Sequence, residues 1–437
     1  MLTITNNFLK MDASILTNLP TGQSLRKSPV HRWFPYLAGF SEDLVTKIIH
    51  ILELNESHTV FDPFMGSGTV AVECRKHNIT TIGHEINPFV LKVSKAKTNF
   101  TNNAQAFTKA RDILIDKSIS QKFVLNNSNS LDPLFQKCYS NDFISKLYTL
   151  KSNILSSKSQ FNNLLFLALS NTLRESAKVK ISHPYISWNS TNQAIDPIES
   201  FLSQTNIMID DMKALKDIIQ PESKSVLYLK DSRNINEKIA SDSMDCIITS
   251  PPYLNNFDYG EFTKVYTHFW DMTKNWNDIT TKIRHKGVTF ATTCYSTTTY
   301  KDTLYENILN NDFKTSCPKS SQMILEKVKH IHDFLQSKTE RKKSFDLLVL
   351  LYFNDIYKVL LESYRVLKHD HYAFFVIGDS APYGVHIPTD YIMKTMANEL
   401  GFSQTALITL RQRGAKWKTL KNRHSLDLQE SLVILKK

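Results

Sequence analysis

Ser250, Pro251, Pro252 and Tyr253 are the residues of this chain best suited to doing chemistry. They follow Met244-Asp-Cys-Ile-Ile248, a short β-branched run that reads as a buried strand entering Thr249. Two successive prolines fix φ and remove two backbone donors, so the chain cannot stay in a sheet ladder. The expected result is a rigid edge of carbonyl oxygens, a hydroxyl and an aromatic face. It would stand at the C-terminal end of a strand, where open α/β sheets collect ligands. Such an edge suits a planar exocyclic amine, which is a poor nucleophile while its lone pair is conjugated with a base ring. Fixed oxygens that accept the two N–H bonds draw the lone pair out of conjugation, and an aromatic ring holds the base by stacking. A Pro-Pro turn that merely closes a strand is the better reading of this stretch when it is taken alone.

A second stretch changes that balance. Residues 59–64 read as a strand, and Met65-Gly-Ser-Gly-Thr69 is a turn into a helix through 70–77. Glycines directly after a strand let the backbone approach a ligand, and the following helix N-terminus favours an anionic group. The next strand, residues 81–85, ends in Glu85, 17 residues after Gly68. That is close to the spacing of a carboxylate that binds ribose hydroxyls, whereas an isolated G-x-G carries little weight.

The elements that must position these residues follow from periodicity. Leu44, Val45, Ile48, Ile49 and Leu52 mark one face of a helix that Ser41 would cap. Amphipathic helical stretches occur at 143–154, 162–177 and 195–218, within a region rich in Asn, Ser and Lys. Further strands are expected at 225–229, 244–249, 372–377, 404–410 and 431–435, with a strong helix over 347–367. The segment 259–270 is aromatic and helical in character, and 284–300 is Thr-rich without a clear period.

The 437 residues suffice for two or three domains, and an apolar content of 41% is ordinary for a globular protein. A net charge of +11 favours an anionic partner, with nucleic acid ahead of membrane. Residues 411–423 concentrate that charge: Arg411, Arg413, Lys416, Lys418, Lys421 and Arg423 occur there with Trp417 and no acid. Phosphate contact is the expected role of these six cations, against the alternative of a solvated hairpin loop. The five cysteines are scattered, odd in number and without a C-x-x-C pair, which points to a reducing cytoplasm and away from zinc or disulfides. His330 and His332 at i, i+2 do not share a helix face, so no metal is expected. The first twenty residues lack the pattern of a secretory signal, and no apolar run is long enough for a membrane span.

With Asp62-Pro-Phe-Met-Gly-Ser-Gly-Thr69 and Thr249-Ser-Pro-Pro-Tyr253 both present, the chain resembles the amino-group DNA methyltransferases, and most of all their cytosine-N4 branch. Adenine-N6 relatives more often carry Asp where this chain has Ser250. The likeness covers residues 31–98 and 222–437. It implies a Rossmann-like α/β sheet with helices on both faces, a C-terminal antiparallel hairpin and two insertions. By that resemblance Asp62, Pro63, Phe64, Gly66, Ser67, Gly68 and Thr69 form the S-adenosylmethionine loop, with Tyr36 and Phe40 as a flanking wall. Glu85 would bind the ribose and Asp231 would sit near the adenine amine. Ser250 and the Pro251 carbonyl would accept from the target amine, and Tyr253 would stack on the flipped base.

The implied organisation is an arm at 1–30, a cofactor half at 31–98, a helical insertion at 99–221 and a catalytic half at 222–270. A candidate target-recognition insertion would occupy 271–345, and the catalytic domain would finish at 346–437. The glycine loop precedes the Ser-Pro-Pro-Tyr motif, opposite to the order in many cytosine-N4 enzymes, which leaves both insertions as candidates for reading sequence. The resemblance implies double-stranded DNA as substrate, and a cognate restriction endonuclease as a separate chain. Direct transfer is expected, because the only Cys-Pro pair, Cys317-Pro318, is in the wrong order for C5-cytosine chemistry. An adenine-N6 enzyme and a catalytically silent DNA-binding protein of the same fold are the competing readings.

Overall fold

The computed structural model describes residues 22–36, 39–100, 102–121, 132–181, 185–219, 224–255, 257–301, 303–337, 343–413 and 426–437. Its centre is a seven-stranded sheet of β1 (Thr59–Asp62), β2 (Thr80–Glu85), β3 (Ser225–Leu229), β4 (Met244–Thr249), β5 (Leu367–Gly378), β6 (Gln404–Arg413) and β7 (Leu428–Lys436). The order is β3-β2-β1-β4-β5-β7-β6. The first five are parallel. β7 runs antiparallel to both β5 and β6, which makes the C-terminal hairpin. The chain winds outward from β1 to β2 and β3 on one side, then returns to β4 and β5 on the other. The crevice beyond the C-terminal ends of β1 and β4 is therefore the topological switch point of the sheet.

Alternation along the central strands explains how both faces are covered. Val60, Cys246, Ile248, Phe374 and Val376 pack with the helix Glu42–Ile51, which Ser41 caps by accepting from the Asp43 amide. Phe61, Ile247, Phe375 and Ile377 pack on the opposite face with the helices Pro318–Gln336, Phe345–Val366 and Thr389–Glu399. The helix Phe345–Val366 is apolar almost all round because it lies between the sheet and Pro318–Gln336.

Residues 99–221 carry the helices Ala104–Ser120, Pro133–Cys138, Asn141–Ser156, Asn162–Glu175 and Pro197–Ala214. They share one core with the helices Pro88–Thr98 and Lys264–Phe269, where Phe89 and Tyr266 stack with centroids 4.9 Å apart. Asp211 anchors this bundle to the start of the chain, accepting from the Val30 amide and the Trp33 indole while pairing with Arg32. The segment read as a loose arm is thus tied down over 22–30. Leu25 and Val30 are buried, and Ser24 and Ser28 both donate to Glu42. Short polar side chains bonded to one carboxylate have no sequence periodicity, so the arrangement was not visible in the pattern.

Within 271–345, Arg284 is fully buried against Asp258 at 2.8 Å and lies over the Trp276 ring at 3.8 Å. This arginine is held in a structural ion pair. Of the basic run at 338–343, only Lys343 is among the described residues.

Candidate active site

Both motifs open onto one cavity of about 390 Å³ at the switch point. Pro63, Phe64, Gly66, Glu85, Asp231, Ser250, Pro251, Pro252 and Tyr253 all line it, as do Tyr36 and Phe40. Asp62, Ser67, Gly68 and Thr69 lie just behind, in the turn that shapes the wall.

The wall on the β1 side is set by backbone conformation. Gly66 and Gly68 have φ of 52° and 90°, the left-handed region that side chains disfavour. A Cβ on Gly66 would approach the Tyr36 ring to 3.4 Å, and one on Gly68 would approach Ser94 to 3.2 Å. The loop is pinned from two sides, by the Met65 amide on the His84 carbonyl at 2.9 Å and by Ser232 donating to the Pro63 carbonyl. His84 itself is fully buried, hydrogen-bonded to Ser232 and Asn236, and burial lowers its pKa to about 4, so it is neutral. Gly68 then leads into the helix Thr69–Lys76.

Glu85 ends β2 at the cavity wall. Burial raises its carboxyl pKa to about 7 against backbone hydrogen bonds from Asn87, Gly66 and Ile86, the Asn87 amide at 2.7 Å. Asp231, beyond β3, is held by its own loop: Arg233 binds it at 2.8 Å and is shared with Asp355.

The other wall is the acceptor edge. Ser250 donates its hydroxyl proton to the Val376 carbonyl at 3.0 Å. That fixes the Oγ rotamer and turns its lone pairs away from β5. The Pro252 carbonyl takes a hydrogen bond from the Tyr352 hydroxyl at 3.0 Å, and the Tyr253 carbonyl takes the Asn255 amide at 2.8 Å. The edge is thus locked from behind by β5 and by the helix Phe345–Val366. It is also joined directly to the glycine loop: Thr249 donates to Asp62 at 2.6 Å, and the same carboxylate oxygen accepts the Phe64 amide at 3.0 Å. Burial raises the Asp62 pKa to about 7 despite these two bonds.

Arg411 and Arg413 stand on the last turns of β6 and face the same cavity. Arg411 pairs with the buried Glu430 at 2.6 Å, and the Arg413 guanidinium lies 5.0 Å from the centre of the Tyr253 ring. Glycine at 378 makes room for this, since a Cβ there would strike both Arg413 and Tyr253. Lys416, Lys418, Lys421 and Arg423 lie outside the described residues.

Sequence reasoning did not single out Thr249, His84, Ser232, Tyr352 or Glu430 as site residues. Thr249 abuts a recognisable motif and could have been found there. The others act across distant segments and leave no local signal. Among the described residues, no group of three or more His, Cys, Asp or Glu side chains is placed to hold a metal ion, and no helix is long and apolar enough to cross a membrane.

A family model described as DNA methylase matches residues 16–96, which include the glycine loop and Glu85. The Type II methyltransferase M.BsoBI of Geobacillus stearothermophilus is 24% identical over 428 residues, covering 90% of this chain and 82% of that protein. M.AvaI of Nostoc sp. is 23% identical, with 92% and 85% covered. M.MvaI of Kocuria varians is 22% identical, with 85% and 81% covered. The family match falls on the loop that builds one wall of the cavity, and the methyltransferase alignments run through both walls and both insertions; the chain is similar to DNA methylases over that loop and to Type II methyltransferases over most of its length.

Proposed function

We propose that this chain transfers the methyl group of S-adenosylmethionine to the exocyclic N4 of cytosine in duplex DNA, as the modification member of a restriction system. The observation that carries this reading is the Ser250 hydroxyl. Its proton is committed to Val376, which leaves an uncharged oxygen as acceptor at the position where adenine-N6 relatives more often place Asp. The names of the aligned relatives, all Type II methyltransferases, support the restriction-modification context; a cognate nuclease on a separate chain belongs to this reading as a proposal.

The cavity fits the cofactor. The glycine turn offers a backbone cradle in a left-handed conformation that side chains disfavour, and Glu85 and Asp231 offer carboxylates for hydroxyl and amine donors. S-adenosylmethionine, when bound, supplies an electrophilic methyl group on its sulfonium. Ser250 Oγ and the Pro251 carbonyl accept the two N–H bonds of the target amine, so its lone pair leaves conjugation and becomes available for attack. Tyr253 holds the base face by stacking. Asp62 and Thr249 keep the two walls at a fixed separation, which serves the alignment of an in-line transfer. With the cofactor bound, the amine would form its bond to the methyl carbon as the carbon–sulfur bond broke, and would then lose one proton to solvent.

Incubation of the purified protein with S-adenosylmethionine and mixed-sequence DNA, followed by nucleoside mass spectrometry, tests this. N4-methyldeoxycytidine is expected. N6-methyldeoxyadenosine would overturn the base assignment, and no modified nucleoside would favour a silent DNA-binding protein.

A further inference from the structure

One part of the helical insertion reaches the mouth of the cavity. The chain leaves the helix Asn162–Glu175 and forms a short antiparallel strap, with Lys180 bridged to Ser187. The Ser187 amide donates to the Lys180 carbonyl at 2.9 Å, and the Asn192 amide to the Lys178 carbonyl at 3.0 Å. Tyr185 seats the strap beside the acceptor edge. Its ring stacks on Phe257, a cavity-lining residue four positions after Tyr253, with centroids 6.0 Å apart and planes 19° from parallel. Its hydroxyl accepts the Asp258 amide at 3.2 Å.

The outer surface of this strap is both basic and aromatic. Lys178 and Lys180 are exposed, and so is Lys137 from the adjoining helix Pro133–Cys138. Trp188 is 51% exposed, unusual for the largest apolar side chain, with the Lys137 ammonium 6.0 Å from its ring. The carboxylates on the flanking segments are already engaged, Asp132 by His268 and Glu175 by Arg174. Three exposed lysines and an exposed indole on these adjoining segments, with Lys137 against the indole and the nearby acids engaged elsewhere, match a polyanion that also offers flat apolar surfaces.

We propose that Lys137, Lys178, Lys180 and Trp188 form a duplex-DNA contact that flanks the base pocket and is held in register with it by Tyr185. The lysines meet backbone phosphates beside the flipped nucleotide, and Trp188 packs on a neighbouring sugar or base. This rests on the DNA reading above and adds to it a role for the helical insertion, that of gripping the duplex next to the reacting base. Phosphate contacts position without carrying sequence information, so the grip acts on all duplexes alike.

Binding of a mixed-sequence duplex, followed by anisotropy over a range of salt concentrations, separates the outcomes. The double variant K178Q/K180Q should lower the slope of log affinity against log salt by about 0.9 for each phosphate that is no longer neutralised. Trp188→Ala should weaken binding with little change of slope. Both variants should bind S-adenosylmethionine as the wild type does, which reports that they are folded. If the double variant fails to bind cofactor, the single variant Lys180→Gln replaces it, with the change for one phosphate expected. Unchanged slope and affinity in folded variants would overturn the proposal. A wild-type protein that binds no duplex would instead overturn the DNA reading on which it rests.

Discussion

Tyr253, Ser250 and Gly66 divide the site into parts that single substitutions can separate. Tyr253→Ala removes a stacking partner worth roughly 1–3 kcal/mol per base, so methyl transfer should fall while cofactor affinity measured by calorimetry stays close to wild type. Wild-type transfer by that variant would contradict the stacking role. Ser250→Ala should slow single-turnover transfer without preventing DNA binding, because the Pro251 carbonyl remains. Gly66→Val places a β-branched residue at φ 52° against Tyr36, and cofactor binding by the folded variant should be abolished. Glu85 gives the site a pH dependence. Its pKa is raised to about 7 in the free protein, and hydroxyl donors prefer its ionised form. Cofactor affinity should therefore fall as pH drops below 7, by up to about tenfold per pH unit, and Glu85→Gln should flatten that profile.

Between elements, the hydrogen bond from Thr249 to Asp62 joins the ends of β4 and β1 and makes the two walls one unit. Asp62 is raised from about 4 unfolded to about 7 folded, so its contribution to stability is full below the lower value and is lost as pH rises through the higher one. Asp62→Asn keeps an acceptor for Thr249 and Phe64 without a charge to bury. Its melting temperature should consequently change less than that of the wild type between pH 5 and 8; an unaltered profile would remove Asp62 as the cause. The strands that carry the site were legible in sequence because β-branched runs ended in Gly-rich or Pro-Pro turns, as at Phe61 and Ile248. The helix Glu42–Ile51 was legible from its period and its Ser41 cap. Pro318–Gln336 and Thr389–Glu399 were not singled out, although Ile324, Val328 and Ile331, and Ile392, Met393, Met396 and Ala397, recur at helical spacing and mark the buried faces that pack with Phe345–Val366. The links that rigidify the site, Ser232 to Pro63 and Tyr352 to Pro252, join segments 169 and 100 residues apart. Such pairs leave no trace in local pattern.

Over the molecule as a unit, a net charge of +11 is distributed on more than one side of the cavity. Arg411 and Arg413 turn toward the cavity, whereas Lys178 and Lys180 stand on the strap at its mouth, with Lys137 on the adjoining helix. For 271–345 we propose the reading of sequence, anchored as it is just after the acceptor edge by Arg284 on Asp258. Exchange of 271–345 between two relatives of different specificity should carry the methylated motif with it, and a motif that followed 99–221 would reverse the assignment. Transfer to cytosine N4 by the Ser250 to Tyr253 edge can be read in living cells, through modification-sensitive sequencing of DNA from strains that express the wild-type protein or Tyr253→Ala. N4-methylcytosine at one short motif is expected in the first, with its disappearance or near disappearance in the second; N6-methyladenine, or an undiminished signal from the variant, would contradict that assignment.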